Sequence, residues 1–232
     1  MMQDYWNDSP NVDKGRLRVP DDIADLSFRV ECHGGLVVDH AYQLYQEISR
    51  ILPWFAEQPS VALHTLHGAE SGNGWVRPYK DGALLFLSKR TRLRLRLTKS
   101  RFSDAALLAG HTLTIGDCKV DIKPPTIRAL SSQTTLFCRS LVSANDQDEN
   151  GFLHYATTLL NAKGIHPRQM MGGRRHTIKT PDKTFHARSL MIVDLSFEES
   201  ILLQQSGLGT EQKLGCGVFL PHKSIGNPAD KS

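Results

Sequence analysis

The stretch Lys89-Arg90-Thr91-Arg92-Leu93-Arg94-Leu95-Arg96-Leu97 leaves the chain little freedom in how it folds. Basic and apolar residues alternate with period two, the pattern of a strand whose successive side chains point to opposite faces. Arg90, Arg92, Arg94 and Arg96 then share one face, and Leu93, Leu95 and Leu97 share the face directed to a core. Arginines at this spacing repel one another unless an anion neutralises them. A phosphate backbone does so naturally, because fork-shaped guanidinium groups match phosphate oxygens. A solvated face partnered by acids is the alternative, and four arginines without an interleaved acid make it the weaker one.

Charge along the rest of the chain points the same way. The net charge of the 232 residues is only +4. Between Arg77 and Arg101, however, nine Lys/Arg face the single acid Asp81. Between Lys163 and Arg188, seven face Asp182, with His166, His176 and His186 added. Two separated basic blocks point to a polyanionic partner. Hydrophobic residues at 40% and charged residues at 22% are ordinary for a globular chain. No apolar run approaches the roughly 20 residues of a membrane-spanning helix. The aspartates of the first thirty residues are wrong for a signal peptide. A soluble, cytoplasmic protein without a membrane partner is expected. Cys32, Cys118, Cys138 and Cys216 include no CxxC pair, so they read as buried small hydrophobes rather than as zinc ligands or disulfides.

Residues 1–23 read as a polar arm and 226–232 as a tail. Between them, strands are expected over Leu26–Cys32, Val61–Leu66, Ala83–Leu97 and Leu113–Ile122. A helix capped by Asp39 and stopped at Pro53, and a short one over Asp104–Ala109, complete a β-α-β-β-α-β order. The second half repeats it. Strands are expected over Thr134–Val142, Phe185–Leu195 and Lys213–Leu220, and a strand pair or ordered loop within 166–179. The helices are Phe152–Ala162 and one opened by a Ser196/Glu199 capping box. Two such units imply an α+β fold of tandem ferredoxin-like (RRM-like) domains, 24–124 and 125–225, joined at Pro124-Pro125.

Three sets of residues carry candidate chemistry. The glycines of the run from Gly207 through Gly209 and Gly215 to Gly217 would let backbone amides converge on an anion. A mobile loop is the equal alternative, and the spacing fits neither a P-loop nor a dinucleotide fingerprint. His40 falls in the first turn of the first helix, on its polar face with Gln43, Glu47 and Arg50. It is expected to be accessible, and the helix dipole there favours the neutral, basic form. His64 and His67 form an HxxH pair, but strand geometry points them apart and no third ligand accompanies them, so a metal site is not expected.

Together these stretches resemble the CRISPR-associated endoribonucleases of the RAMP superfamily, and more specifically the sixth Cas family. The likeness is carried by Asp39-His40-Ala41-Tyr42-Gln43-Leu44-Tyr45, Ile51-Leu52-Pro53-Trp54 and Arg90-Thr91-Arg92-Leu93-Arg94-Leu95. It continues through Arg188-Ser189-Leu190-Met191, Glu199-Ser200 with Leu203-Gln204, and Gly215-Cys216-Gly217-Val218-Phe219-Leu220-Pro221-His222-Lys223. The resemblance implies cleavage of precursor CRISPR RNA within its repeats, with no metal or other cofactor. The ribose 2′-OH attacks the adjacent phosphate and leaves 2′,3′-cyclic phosphate and 5′-OH ends. It implies His40 as general base or acid, assisted by Tyr42 or Tyr45, with His64 as the fallback. It puts Arg90, Arg92, Arg94, Arg96, Arg174, Arg175, Lys213 and Lys223 on the RNA, and the glycine-rich loop in the cleft. The partners implied are the repeat RNA and other Cas subunits of an interference complex. The family often places a lysine near the histidine, and the first helix here has none. A non-cleaving repeat-RNA-binding subunit, a metal-dependent hydrolase on His64 and His67, and a structural subunit without RNA contacts remain the competing readings.

Overall fold

The computed structural model describes residues 18–68, 82–143 and 148–222. Most of the expected arm, the tail, Lys223, and Arg77 and Lys80 of the first basic block lie outside the described residues.

In the first half, β1 (Ile23–His33) leads through β2 (Leu36–Val37) to helices α1 (Ala41–Ile51) and α2 (Trp54–Glu57). Then come β3 (Ala62–His64), β4 (Leu84–Leu85), β5 (Arg92–Thr98), α3 (Phe102–Ala106), β6 (Thr112–Ile115) and β7 (Cys118–Arg128). The second half runs β8 (Leu136–Ser143), α4 (Glu149–Asn161), β9 (Gln169–Lys179), β10 (Thr184–Val193), α5 (Phe197–Ser206) and β11 (Phe219–Pro221). The main sheets are ordered β3-β5-β1-β7-β6 and β11-β8-β10-β9, with β2 and β4 paired apart. Every neighbouring pair is antiparallel. In each half the first long strand lies between the third and the last, the ferredoxin-like order, so the fold is tandem ferredoxin-like.

The arginine-leucine alternation becomes β5. Leu93, Leu95 and Leu97 are fully buried in the first core with Phe28 of β1 and Leu44 and Ile48 of α1. Each such leucine removed from water contributes about 1.5–3 kcal/mol. The second core packs Leu136 and Cys138 of β8 under Phe152, Ala156 and Leu160 of α4 and Leu203 of α5. A third cluster joins the halves: Ala41 of α1 meets Ile178, Phe185, Ala187, Leu214 and Cys216.

Several expectations are corrected. Pro124-Pro125 is no junction: it lies within β7, with Pro125 opposite Phe28. Proline lacks the N–H that a ladder needs, so it survives at bulges and free edges. Here the β1–β7 register shifts between Phe28 and Val30, and β6 pairs β7 only as far as Asp121. The first domain therefore extends past residue 124, to Arg128. The arm ends sooner than residue 23, since Ile23 already pairs with Thr98 and Asp22 O accepts from Lys99 N. The long strand expected over 83–97 is broken by a turn closed by Thr91 N to Ser88 O. The stretch 166–179 holds one strand, β9. Asp39 does not cap α1: its carboxylate accepts from Lys179 N of the other domain at 3.0 Å. The Ser196/Glu199 capping box forms as expected.

Candidate nucleic-acid interface

A cleft of about 740 Å³ opens where the two domains meet. Arg90, Arg92 and Arg94 line it from the first domain with Arg128 at the end of β7, and Phe137, Arg139 and His222 from the second. Arg92 is fixed by its Nη1 donating to Lys89 O (2.9 Å) and Thr91 O (2.8 Å). Arg94 Nε is buried with no hydrogen-bond partner. Burial, and then the neighbouring charge of Arg128, push the Arg94 pKa below its ordinary value. A guanidinium nevertheless keeps its proton. The cleft therefore holds like charges in partial desolvation, an arrangement that a polyanion would relieve.

Arg96 shares the face of Arg92 and Arg94 but not their fate, and its expected contact with RNA is corrected. It is 3% exposed. Its Nε and Nη2 donate to the two oxygens of Asp25 at 2.8 and 3.1 Å, and Nη1 donates to Gln204 O and Phe219 O, each at 2.8 Å. One guanidinium thus binds β1 to α5 and β11, pinning the domains together. The acid that the sequence did not interleave with the arginines arrives from the neighbouring strand. Burial alone would raise Asp25, but its contacts with His64 and Arg96 hold its carboxyl well below the usual range.

His64, the fallback catalyst, is 8% exposed and sits 3.3 Å from Asp25 Oδ1, off the geometry of a hydrogen bond. Burial lowers its pKa, outweighing the attraction of Asp25. His64 is a neutral member of the domain junction.

His40 is also corrected: it is 2% exposed rather than accessible. Its ring lies at the start of α1, with Nδ1 2.8 Å from Val37 O and Nε2 3.1 Å from Leu66 N. A backbone N–H only donates, so Nε2 accepts, and the proton is assigned to Nδ1, facing Val37 O. Both nitrogens are thus engaged with backbone, just behind the wall of the cleft. Tyr42 and Tyr45 pack against the interdomain cluster, and the Tyr42 hydroxyl accepts from Gln46 Nε2. They are packing residues and do not line the cleft.

Sequence reasoning weighed His67 only as half of an HxxH metal pair. It is half-buried, lines the cleft beside Thr65, and its Nε2 lies 3.0 Å from Thr65 Oγ1. His40 holds Leu66, the residue between them.

The amides at the C-terminal end of the glycine-rich loop are engaged within the protein. Gly215 N, Cys216 N and Gly217 N donate to Gln212 O, Glu211 O and Ser140 O. A Cβ on Gly217 would fall 1.8 Å from Leu208 O, and one on Gly215 would strike Thr65, with φ at +65° and +80°. Glycine is needed there so that the loop can lie against both domains. Gly207 ends α5 and Gly209 abuts Leu141. Lys213, expected on the RNA, donates its amine to Ala56 O and does not line the arginine cleft. Arg174 and Arg175 are exposed on β9, at the far edge of the second sheet, and do not line the cleft either. Arg128, Arg139 and Phe137 were missed by the sequence reading. Their signal was weak, since Arg139 is the single basic residue of β8 and Arg128 closes β7 outside both basic blocks.

Paired ferredoxin-like domains enclosing an arginine cleft define a class of basic two-domain proteins. A family model described as Cas6 Crispr matches residues 24–224, and the chain belongs to that family. It is 29% identical over 199 residues to the CRISPR-associated endonuclease Cas6 of Myxococcus xanthus (strain DK1622), covering 86% of this chain and 81% of that protein. Among solved structures it is similar to a Cas6-related protein from Pyrococcus furiosus, with a TM-score of 0.55 and 13% identity over 87% of this chain and 99% of that one. It is also similar to the Thermus thermophilus Cse3 bound to an RNA representing a pre-cleavage complex, with a TM-score of 0.50 and 12% identity over 85% and 98%. No described helix is long and apolar enough to cross a membrane.

Proposed function

We propose that the chain is an endoribonuclease that cleaves precursor CRISPR RNA within its repeats by 2′-OH attack, without a metal ion. The observation that carries this reading is the interdomain cleft in which three arginines of one strand segment share a wall with an imidazole. Membership of the Cas6 family supports it, as does the relative named an endonuclease. Arg90, Arg92 and Arg94, with Arg128 and Arg139, bind the phosphates. His67 moves the proton of the attacking 2′-OH, work for which imidazole is suited near neutral pH. The arginine charge offsets the additional negative charge at the reacting phosphate. His40 acts as a positioning residue, fixing Leu66 and so the Thr65–His67 corner.

The burial of His40 favours a second reading, a repeat-RNA-binding subunit that does not cut. Incubating the protein with end-labelled repeat RNA in excess EDTA separates the two. The nuclease yields fragments ending in a 2′,3′-cyclic phosphate, and a single 2′-deoxy substitution at the cleavage site abolishes them. Tight binding with intact RNA supports the subunit. Activity that appears only on adding a divalent cation contradicts the proposed chemistry.

A further inference from the structure

Phe137 is left without a role by the reading above. Strand alternation sends its neighbours Leu136 and Cys138 into the second core, beneath α4 and α5, and turns Phe137 to the opposite face. That ring is half-buried and lines the arginine cleft. Its cross-strand partners are Leu220 on β11 and Met191 on β10, and Met191 in turn pairs with Met171, which is 54% exposed. An apolar row thus crosses the face that the helices leave uncovered. Arg139, two residues on, sits where the β8–β10 register shifts opposite Ser189, and its Cζ lies 5.8 Å from the Phe137 ring centroid. The His222 ring lies 6.1 Å away at 56°.

We infer that Phe137 is a stacking subsite for one unpaired base of the RNA, held between Arg139 and His222. The inference rests on the cleft being an RNA groove. A flat apolar ring bordered by a guanidinium and an imidazole matches the π-face and polar edge of a nucleobase. The arginines in the same cleft match the phosphates that accompany it. A protein surface covering the apolar row would leave those like charges unanswered, whereas RNA satisfies both halves of the site. The substrate is accordingly a strand with at least one unstacked nucleotide at this point.

The test is equilibrium binding of labelled repeat RNA to the full chain across a salt series, with Phe137→Leu and Phe137→Tyr. Leucine keeps the row packed and removes the ring. The expected result is a loss of about five- to hundredfold for Phe137→Leu, an unchanged salt slope, and near-normal binding by Phe137→Tyr. Among RNAs with single abasic positions, one should bind as weakly as Phe137→Leu binds intact RNA, and should lose nothing further against that variant. Equal affinity of Phe137→Leu and the wild type overturns the subsite while leaving the RNA groove standing. A change in self-association without a change in RNA affinity does so too, and assigns the row to protein contact. If the wild type shows no salt-dependent affinity for RNA, the groove reading itself fails.

Discussion

Arg96 shows how one side chain can be assigned to the right face and still to the wrong partner. Alternation placed it beside Arg92 and Arg94, but Asp25 stands across from it on β1, and two carbonyls of the other domain complete its hydrogen bonds. No one-dimensional pattern could announce a partner 71 residues away. Removing one member of a buried pair leaves the other charge uncompensated, at a cost of about 3–5 kcal/mol. Arg96→Ala should therefore lower the denaturant midpoint severely, whereas Arg90→Ala, at an exposed position, should leave it nearly unchanged. The same junction predicts a pH dependence. His64 is lowered from its ordinary 6.5 by burial, so the unfolded chain takes up its proton first, and stability falls as pH drops below about 6.5. Asp25 is held below its ordinary 3.8, which adds a further loss below about pH 4. Thermal unfolding between pH 7 and pH 5 should show the first loss in the wild type, and a shallower one in His64→Gln.

Among the elements, those with strong local signals came through: β5 from its alternation, α1 from its apolar spacing and Pro53, and α5 from its capping box. The failures have a common cause, since tertiary contacts reassigned residues whose local chemistry had another habitual use. A proline pair that marks linkers elsewhere lies on the free edge of β7. Asp39, a habitual cap, reaches across to Lys179. His40 lies on the polar side of its helix, yet the Thr65–His67 segment covers it. The glycine-rich loop was legible as backbone able to approach a ligand closely, but Gly215 N and Cys216 N bond within the loop and Gly217 N bonds Ser140 O of β8. Gly217→Ala should consequently cost at least as much as a strained backbone residue, about 1–3 kcal/mol, because its Cβ would overlap Leu208 O. A melt of that variant checks it, and an unchanged midpoint would show that the loop yields.

For the whole molecule, charge distribution proved more informative than net charge. The first basic block supplies the cleft, while the second places Arg174 and Arg175 on a distant edge strand. Arg128 joins the cleft from the end of β7 and Arg139 from the second domain, positions far apart in the chain that only the fold could gather. Each phosphate contact on a single strand contributes about 0.7 to the slope of log affinity against log salt. Arg92→Ala should flatten that slope by roughly this amount, and Lys213→Ala should leave it unchanged.

The proposed chemistry places an imidazole on the wall of an interdomain arginine cleft, where it cuts the RNA held there. Single-turnover cleavage of labelled repeat RNA in EDTA, at saturating protein, tests it with His67→Ala beside His40→Ala. His67→Ala should lose about 10²–10⁴ in rate while its RNA affinity stays near wild type. Cleavage by His67→Ala at the full rate, with His40→Ala inert but folded and still binding, would contradict it and return the chemistry to the first helix.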